Sequence, residues 1–305
     1  MKFKNIDIVP DIHGDFDRLK DTLKALGYRE AKGWAHDEGR ELVFLGDLIG
    51  RGSQNIACLA LVEGLLNKGI AKAIMGNHEL NAILYHMPDG SGGYLRPHGA
   101  KETQQHQTFL NEAPLGSDVA AMALDFMCDM PLFIDAGGIR LVHAFWEDAQ
   151  IASLRANTVY GYLPLARLTE VAEESTSFGR AVKDVTGGPQ VDISQIDSVC
   201  HFHDGAGYRR TKMRYRWWPG SGRRWEDIGI SLSSPFLLPK GDVPVELSEN
   251  YYPIDAPLVV FGHYQEGGDP RQQSGNAICL DFPNVPCAYR FDGESRFEPE
   301  KLIII

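Results

Sequence analysis

The sequence predicts an α/β fold built on parallel strands, and three observations carry that reading. Short apolar runs alternate with amphipathic helical patterns through the N-terminal half. The runs are separated by helices rather than by hairpin turns. The chain of 305 residues, 43% hydrophobic and 23% charged, can bury a large core without disulfides or a membrane span.

Ile6, Ile8 and Val9 make the first extended run, which reaches Asp11. Phe16, Leu19, Leu23 and Leu26 then recur at helical spacing, and Gly27 supplies the stop. Leu42-Val43-Phe44-Leu45 is the second run, closed by Gly46-Asp47. A second helix follows, with Ser53 as its expected N-cap, Ile56, Leu59 and Leu66 on one face, and Gly69 after it. Residues 71–75 form the third run and stop at Gly76-Asn77-His78. This strand–helix–strand–helix–strand order implies parallel pairing.

Residues 85–107 are polar and rich in Gly, His and Gln, and read as a surface loop. Residues 117–130 read as a helix ended by Pro131. Ile139-Arg140-Leu141-Val142 is a strand that reaches His143, and Leu258-Val259-Val260-Phe261 is another that reaches Gly262-His263. Between them, residues 147–255 contain one expected helix around 165–185 and several aromatic-rich segments. Residues 277–280, 288–291 and 302–305 read as closing strands. The expected organisation is a single domain over 1–305, with an insertion or cap at 147–255.

Five cysteines, Cys58, Cys128, Cys200, Cys279 and Cys287, are scattered and form no CxxC pair, so neither a zinc ribbon nor a disulfide framework fits. Buried thiols are the expectation. The formal net charge of −11 argues against nonspecific nucleic-acid or anionic-membrane partners. The N-terminus, which enters a strand directly without a secretory pattern, points to the cytoplasm.

Five apolar runs end in metal-competent side chains: Asp11 with His13, Asp47, Asn77, His143 and His263. In open α/β sheets ligands gather at the carboxyl ends of strands, so a fold that makes these strands neighbours brings all six together. Imidazole, carboxylate and amide oxygen without thiolate favour Mn, Fe or Zn. Asp47, a carboxylate central in the series, is the natural bridge between two ions. Two dications offset by Asp11, Asp47 and a bridging hydroxide leave about +1, which attracts a phosphate dianion and lowers the pKa of bound water.

The ordered motifs Asp11-Ile12-His13-Gly14, Gly46-Asp47 with Arg51-Gly52, Gly76-Asn77-His78-Glu79, His143 and Gly262-His263 resemble the calcineurin-like metallophosphoesterases. Within that superfamily they look most like the phosphoprotein-phosphatase branch and its bacterial relatives, the symmetrical dinucleoside tetraphosphatases among them. The resemblance is close over residues 6–81 and returns at His143 and His263. It implies two mixed β-sheets packed as a sandwich flanked by helices. It also implies one divalent ion, Mn first, held by Asp11, His13 and Asp47, and a second held by Asp47, Asn77, His143 and His263. By the same resemblance His78 is the general acid and Arg51 the phosphate-gripping arginine. The implied activity is hydrolysis of phosphomonoesters, on a phosphoprotein or small metabolite, by in-line attack of the activated water. A dinucleoside polyphosphate hydrolase and a catalytically weak binding scaffold are the alternatives.

The chain departs from the family pattern in three places. Gly50 stands where the family has an aspartate that orients the catalytic histidine. Asp148 or Glu147 could substitute, and Gly50→Asp is expected to raise turnover. Pro10 replaces a usual glycine without consequence, since a strand end accepts it. No Ser-Asp-Pro segment is found; Ser233-Ser234-Pro235 is not a match.

The basic, aromatic segment around Arg209, Arg210, Lys212, Arg214, Arg216, Arg223 and Arg224 reads either as a substrate-gripping cap or as a hairpin with one solvated and one aromatic face. Arg209, Arg210 and His98 are accordingly candidate substrate contacts. His86 and His106, in the expected loop, read as structural or solvated, while the His201/His203 pair could compete as metal ligands but follows no apolar run with a Gly-His ending, which favours His143 and His263. Glu79 is expected to be structural, paired with an arginine.

Overall fold

A computed structural model of the protein describes residues 5–203, 207–218, 222–244, 247 and 252–305. The chain divides into two units, Met1–Gly187 with Pro257–Ile305, and Gly188–Ala256.

In the larger unit the elements run β1 (Ile6–Val9), α1 (Phe16–Ala25), β2 (Tyr28–Arg29), β3 (Ala35–His36), β4 (Glu41–Phe44), α2 (Asn55–Asn67), β5 (Ala71–Ala73) and α3 (Asn77–His86). They continue with α4 (Ala100–Glu112), α5 (Asp118–Cys128), β6 (Phe133–Asp135), β7 (Ile139–Val142), α6 (Asp148–Asn157), α7 (Leu168–Glu173) and α8 (Ser177–Gly187). The smaller unit holds β8 (Gln190–Asp192), β9 (His201–His203), β10 (Arg209–Arg210), β11 (Lys212–Arg214), α9 (Trp225–Ile228) and β12 (Ser233–Leu237). The larger unit then closes with β13 (Leu258–Phe261), β14 (Ala277–Cys279), β15 (Cys287–Phe291) and β16 (Leu302–Ile304).

Two mixed sheets dominate the larger unit, in the orders β16-β15-β1-β4-β5 and β14-β13-β7-β6. The run predicted as parallel is parallel: β1 pairs β4, with Ile8 opposite Val43, and β4 pairs β5. Successive strand side chains point to opposite faces. Ile6 and Ile8, Val43, Tyr289 and Phe291 therefore share one inner face, and they are packed with Ile139 and Leu141, Leu258 and Val260 of the other sheet. This is a β-sandwich with helices outside it. On the outer face of β1, buried Asp7 receives Arg40 Nε at 2.9 Å and Arg290 Nε at 3.0 Å.

Several local expectations change. Residues 100–112 are helical, because this polar stretch has an inner face, His106 and Phe109, that is buried. Its last residue also replaces the expected Ser53 cap: Glu112 accepts from the Asn55 and Ile56 N–H groups at 2.8 and 3.1 Å. The expected helix at 165–185 is two helices, broken where Glu174 turns left-handed. Residues 147–187 stay with the larger unit, since Val185 O accepts from Ala144 N at 2.9 Å; the separate unit begins at Gly188.

In the smaller unit, β11 alternates exposed Lys212 and Arg214 with buried Met213, and Tyr215, Trp217 and Trp225 are buried too. Tyr215, Trp217, Trp218 and Trp225 belong to that unit's interior, while Arg209, Lys212, Arg214, Arg223 and Arg224 face out. Four of the five cysteines are buried free thiols and Cys128 is half-buried. Among the described residues, no helix is long and apolar enough to cross a membrane.

Candidate metal centre

Both sheets deliver their strand ends to one place in the larger unit. Asp11 and His13 follow β1, Asp47 follows β4, Asn77 and His78 open α3 after β5, His143 follows β7 and His263 follows β13. The loops are tied together by backbone bonds. Ile12 N and His13 N both donate to Asp47 O, at 3.0 and 2.8 Å, and Gly262 N donates to His143 O at 2.9 Å. Gly262 permits a close approach, since a Cβ there would run into Asp11 Oδ1.

The donor atoms of Asp47, His143 and His263 lie within 4.8 Å of one another, as do those of His13, Asp47 and His78. Asp47 belongs to both groups, the placement a bridging carboxylate needs. Asn77 Oδ1 is 3.2 Å from His143 Nε2, and Asp11 Oδ2 is 3.6 Å from His13 Nε2. All six side chains singled out in the sequence meet here, with His78 beside them.

The unsatisfied chemistry of the cluster fits bound cations. His143 donates through Nδ1 to Leu45 O at 2.7 Å, which leaves Nε2 facing Asp47 Oδ1 at 3.4 Å and Asn77 Oδ1. Burial opposes charge on this ring, yet Asp47 outweighs it and raises the pKa to about 10. His13 is pushed down to about 3 by burial, and its buried Nε2 has no hydrogen-bond partner although it faces Asp11. A neutral imidazole lone pair set against a carboxylate is unfavourable unless a cation lies between them. Burial and then the neighbouring Asp281 raise the Asp11 carboxyl, whereas the surrounding histidines, His143 first, overcome burial and hold Asp47 well below the usual range.

Glu79 is fully buried, and among the described residues no arginine pairs with it. Instead Oε2 accepts from Asp47 N at 2.8 Å and Gly76 N at 3.0 Å, and Oε1 from Leu48 N at 2.8 Å and Ile49 N at 3.3 Å. One carboxylate therefore clamps the two loops that present Asp47 and Asn77. Burial, then the Asp47 charge, raise its pKa to about 7.

Gly50 has φ +94°, and a Cβ at this position would meet His78 Nδ1. The histidine ring occupies the space that a side chain here would need, so a Gly50→Asp side chain could be housed only by moving that ring. Asp148 is no substitute either, because its Oδ1 accepts from Trp146 Nε1 at 2.9 Å and from Arg140 at 3.1 Å. The carboxylate that faces His78 is Asp47, with Oδ2 3.8 Å from Nε2. Burial lowers the His78 pKa.

Two residues that sequence reasoning missed organise Arg51. With its amide oxygen turned to the guanidinium, Gln265 accepts from Arg51 Nη1 at 2.7 Å and also from Nη2. Gln265 N in turn donates to buried Asp281 Oδ2 at 2.9 Å. The signal for Asp281 lay in the residues 277–280 run, which, like the other runs, ends in a metal-competent side chain. Ten non-glycine residues among those described have positive φ, and His13, Asp47, Arg51, His263 and Gln265 are five of them. Backbone strain concentrates at this site.

The remaining candidates have other surroundings. His98 is stacked between Tyr85 and Tyr94, ring centroids 3.8 and 4.1 Å away, and donates to Tyr85 O at 2.8 Å. His86 and His106 share a hydrogen bond of 3.1 Å between their Nε2 atoms. Arg209 and Arg210 lie on β10 of the smaller unit, paired with His203 and Phe202.

Histidine, carboxylate and amide donors gathered at the strand ends of a two-sheet sandwich define a metallophosphoesterase. The calcineurin-like phosphoesterase family model matches residues 4–266, and the chain belongs to that family. It is 42% identical over 73 residues to the asymmetrical bis(5'-nucleosyl)-tetraphosphatase PrpE of Bacillus subtilis (strain 168), a match covering 24% of this chain and 30% of the relative. It is 40% identical over 76 residues to the symmetrical bis(5'-nucleosyl)-tetraphosphatase of Actinobacillus pleuropneumoniae serotype 5b (strain L20), over 25% of each chain. The matched segments thus span less than a third of either relative's length. Among solved structures, a cold-active protein-tyrosine phosphatase of a psychrophilic Shewanella is similar with TM-score 0.49 and 16% identity, over 97% of this chain and 80% of that one.

Proposed function

We propose that the protein is a dinuclear metal-dependent hydrolase of phosphate esters, most simply phosphomonoesters of a protein or small metabolite. The observation that carries this is Asp47, shared by two groups of donors whose atoms lie within 4.8 Å. In this reading Asp11, His13 and Asp47 hold one ion and Asp47, Asn77, His143 and His263 hold the other, with Mn favoured by the nitrogen and oxygen donors. Asp11 is preferred to His78 in the first set because a second carboxylate offsets the dications' charge. The ions, when bound, supply Lewis acidity and lower the pKa of water.

The chain's own residues supply the rest. Arg51, with its guanidinium fixed by Gln265, grips two phosphate oxygens. His78, beside Asp47 and free of the ligand sets, protonates the departing alkoxide at Nε2, a step that typically contributes about 100- to 10,000-fold. Glu79 keeps Asp47 and Asn77 in register through four backbone N–H groups.

The tetraphosphatase names of the relatives favour a second reading, hydrolysis of dinucleoside polyphosphates. The burial of Trp217 and Trp225 weighs against base stacking on those rings. The test is turnover of p-nitrophenyl phosphate with added Mn²⁺, then phosphopeptides against diadenosine tetraphosphate. Wild type should turn over, and Asp47→Asn should lose at least about 1,000-fold. A wild type that binds Mn²⁺ but hydrolyses none of the three would leave only a binding scaffold.

A further inference from the structure

Strands β5 and β6 are the outermost members of their two sheets. Both line a cavity of about 650 Å³ that lies wholly within the larger unit, a volume typical of ligand sites. None of the six metal donors lines it.

Neither strand is paired on that side. Leu42 N donates to Ile70 O at 2.9 Å and Ile74 N to Phe44 O at 3.0 Å. Backbone groups alternate in direction along a strand, so Lys72 faces β4 while Ala71 and Ala73 turn their N–H and C=O groups away from it. Met75, next in that outward row, donates to Pro131 O at 2.9 Å. Among the described residues nothing bonds the outward groups of Ala71 and Ala73. In β6, Ala136 N donates to Ile139 O at 3.0 Å, so Ile134 faces β7, and Phe133 and Asp135 turn their backbone groups away from it. Open donors and acceptors at alternate residues fit an extended chain, added as a further strand.

The cavity wall also carries a residue that the backbone holds at a cost. Tyr162 N donates to Val159 O at 3.0 Å, closing a turn whose central residues, Tyr160 and Gly161, have φ +53° and +86°. Such a turn favours Asn-Gly or Asp-Gly. Tyr160 accepts left-handed strain there and is 90% exposed as well. Neither the turn nor the core asks for an aromatic ring at this point. An anchor for a bound chain does, since tyrosine is enriched among the residues that dominate interfaces.

Charge narrows the occupant. Lys72 pairs with Glu41 and Arg155 with Asp135, whereas Asp129, exposed on the same wall, has no ion pair among the described residues. The unmatched charge is negative, as is the chain's net charge of −11, which a second copy would bring to the contact too. A cationic partner is the complement.

We propose that this groove docks an extended segment of a partner protein, paired along β5 as an added strand, with apolar side chains against Tyr160 and a lysine or arginine at Asp129. The surface is separate from the metal centre and does not depend on its chemistry.

The test selects binders from a displayed library of random peptides on the full-length protein. The synthesised peptide is then measured by fluorescence anisotropy against wild type, Tyr160→Asn, Asp129→Asn and Ala71→Pro. Asparagine suits the turn, and proline is tolerated at the first residue of an edge strand, so both variants should fold, which unfolding midpoints check. Wild type should select apolar peptides with a basic residue. Tyr160→Asn should weaken them at least about tenfold and Ala71→Pro about three- to tenfold. Asp129→Asn should weaken them about two- to fivefold, an effect that fades with salt. In wild type the peptide should slow hydrogen exchange of the Ala71 and Ala73 amides, a readout that needs no variant. Peptides that bind every variant as tightly as wild type, or that leave those amides exchanging as before, overturn the proposal. So does a library that yields no binder. So does a wild-type dimer in sedimentation that Tyr160→Asn dissolves, which gives the groove to a second copy instead.

Discussion

Replacing Glu79 by Gln changes one atom and tests how the loops are held. The carboxylate has two acceptor oxygens, and each takes two backbone N–H groups: Asp47 and Gly76 on Oε2, Leu48 and Ile49 on Oε1. A glutamine keeps one acceptor and turns an NH₂ towards the other pair, so two buried donors face a donor whichever way the amide is placed. At about 1–3 kcal/mol for each buried group left unmatched, the loss is about 2–6 kcal/mol. That is a large part of the about 5–15 kcal/mol that holds an ordinary domain folded. Urea unfolding at pH 8 in the absence of metal, extrapolated to water, measures it. Turnover should fall with it, because the backbone that carries Asp47 is released. A stability loss below about 1 kcal/mol would refute the clamp.

Three further outcomes follow from the same geometry. Gly50→Ala and Gly50→Asp should each lower turnover at least about tenfold, by forcing the His78 ring aside and straining a left-handed turn; a folded Gly50→Asp with a raised rate would reverse this. Gln265→Ala should raise KM for p-nitrophenyl phosphate by about three- to tenfold while kcat changes less, since it frees the Arg51 fork without removing it, and steady-state kinetics separate the two. His106 is held down to about 3 by burial and by His86. The unfolded chain therefore binds more protons than the native one between pH 6.5 and 3, and stability is full above 6.5 and lost as pH falls through that window, by an upper bound of about 5 kcal/mol. His106→Gln should flatten that acid limb of the unfolding free energy.

The metal cluster was legible because each member closes an apolar run, and strand ends in parallel sheets share an edge. Asp281 closes such a run as well, but without a neighbouring motif it carried no mark. Gln265 and the Glu79 clamp were invisible for a different reason: both act on groups defined only once the backbone is folded, an arginine fork and four amide hydrogens. The part of the 100–112 helix that falls within residues 85–107 reads as a loop in the sequence because His106 and Phe109 are the helix's buried residues, too sparse a stripe to stand out from its glutamines and glutamates. The basic segment shows the opposite case. Its alternation of charge and aromatic was visible, but which of the two faces formed an interior depended on β11 pairing with β8.

The left-handed backbone at His13, Asp47, Arg51, His263 and Gln265 bears on how this protein can be stabilised. Each such residue costs of order 1–3 kcal/mol, part of which glycine would recover after its own greater entropy loss on folding. Selection for thermal robustness alone would therefore drift towards glycine at these five positions, and every step would erase a side chain of the site. The easiest gains in durability and the retention of chemistry pull against each other here, so stabilising the protein without disarming it means working on the sandwich and helices rather than on the loops above them.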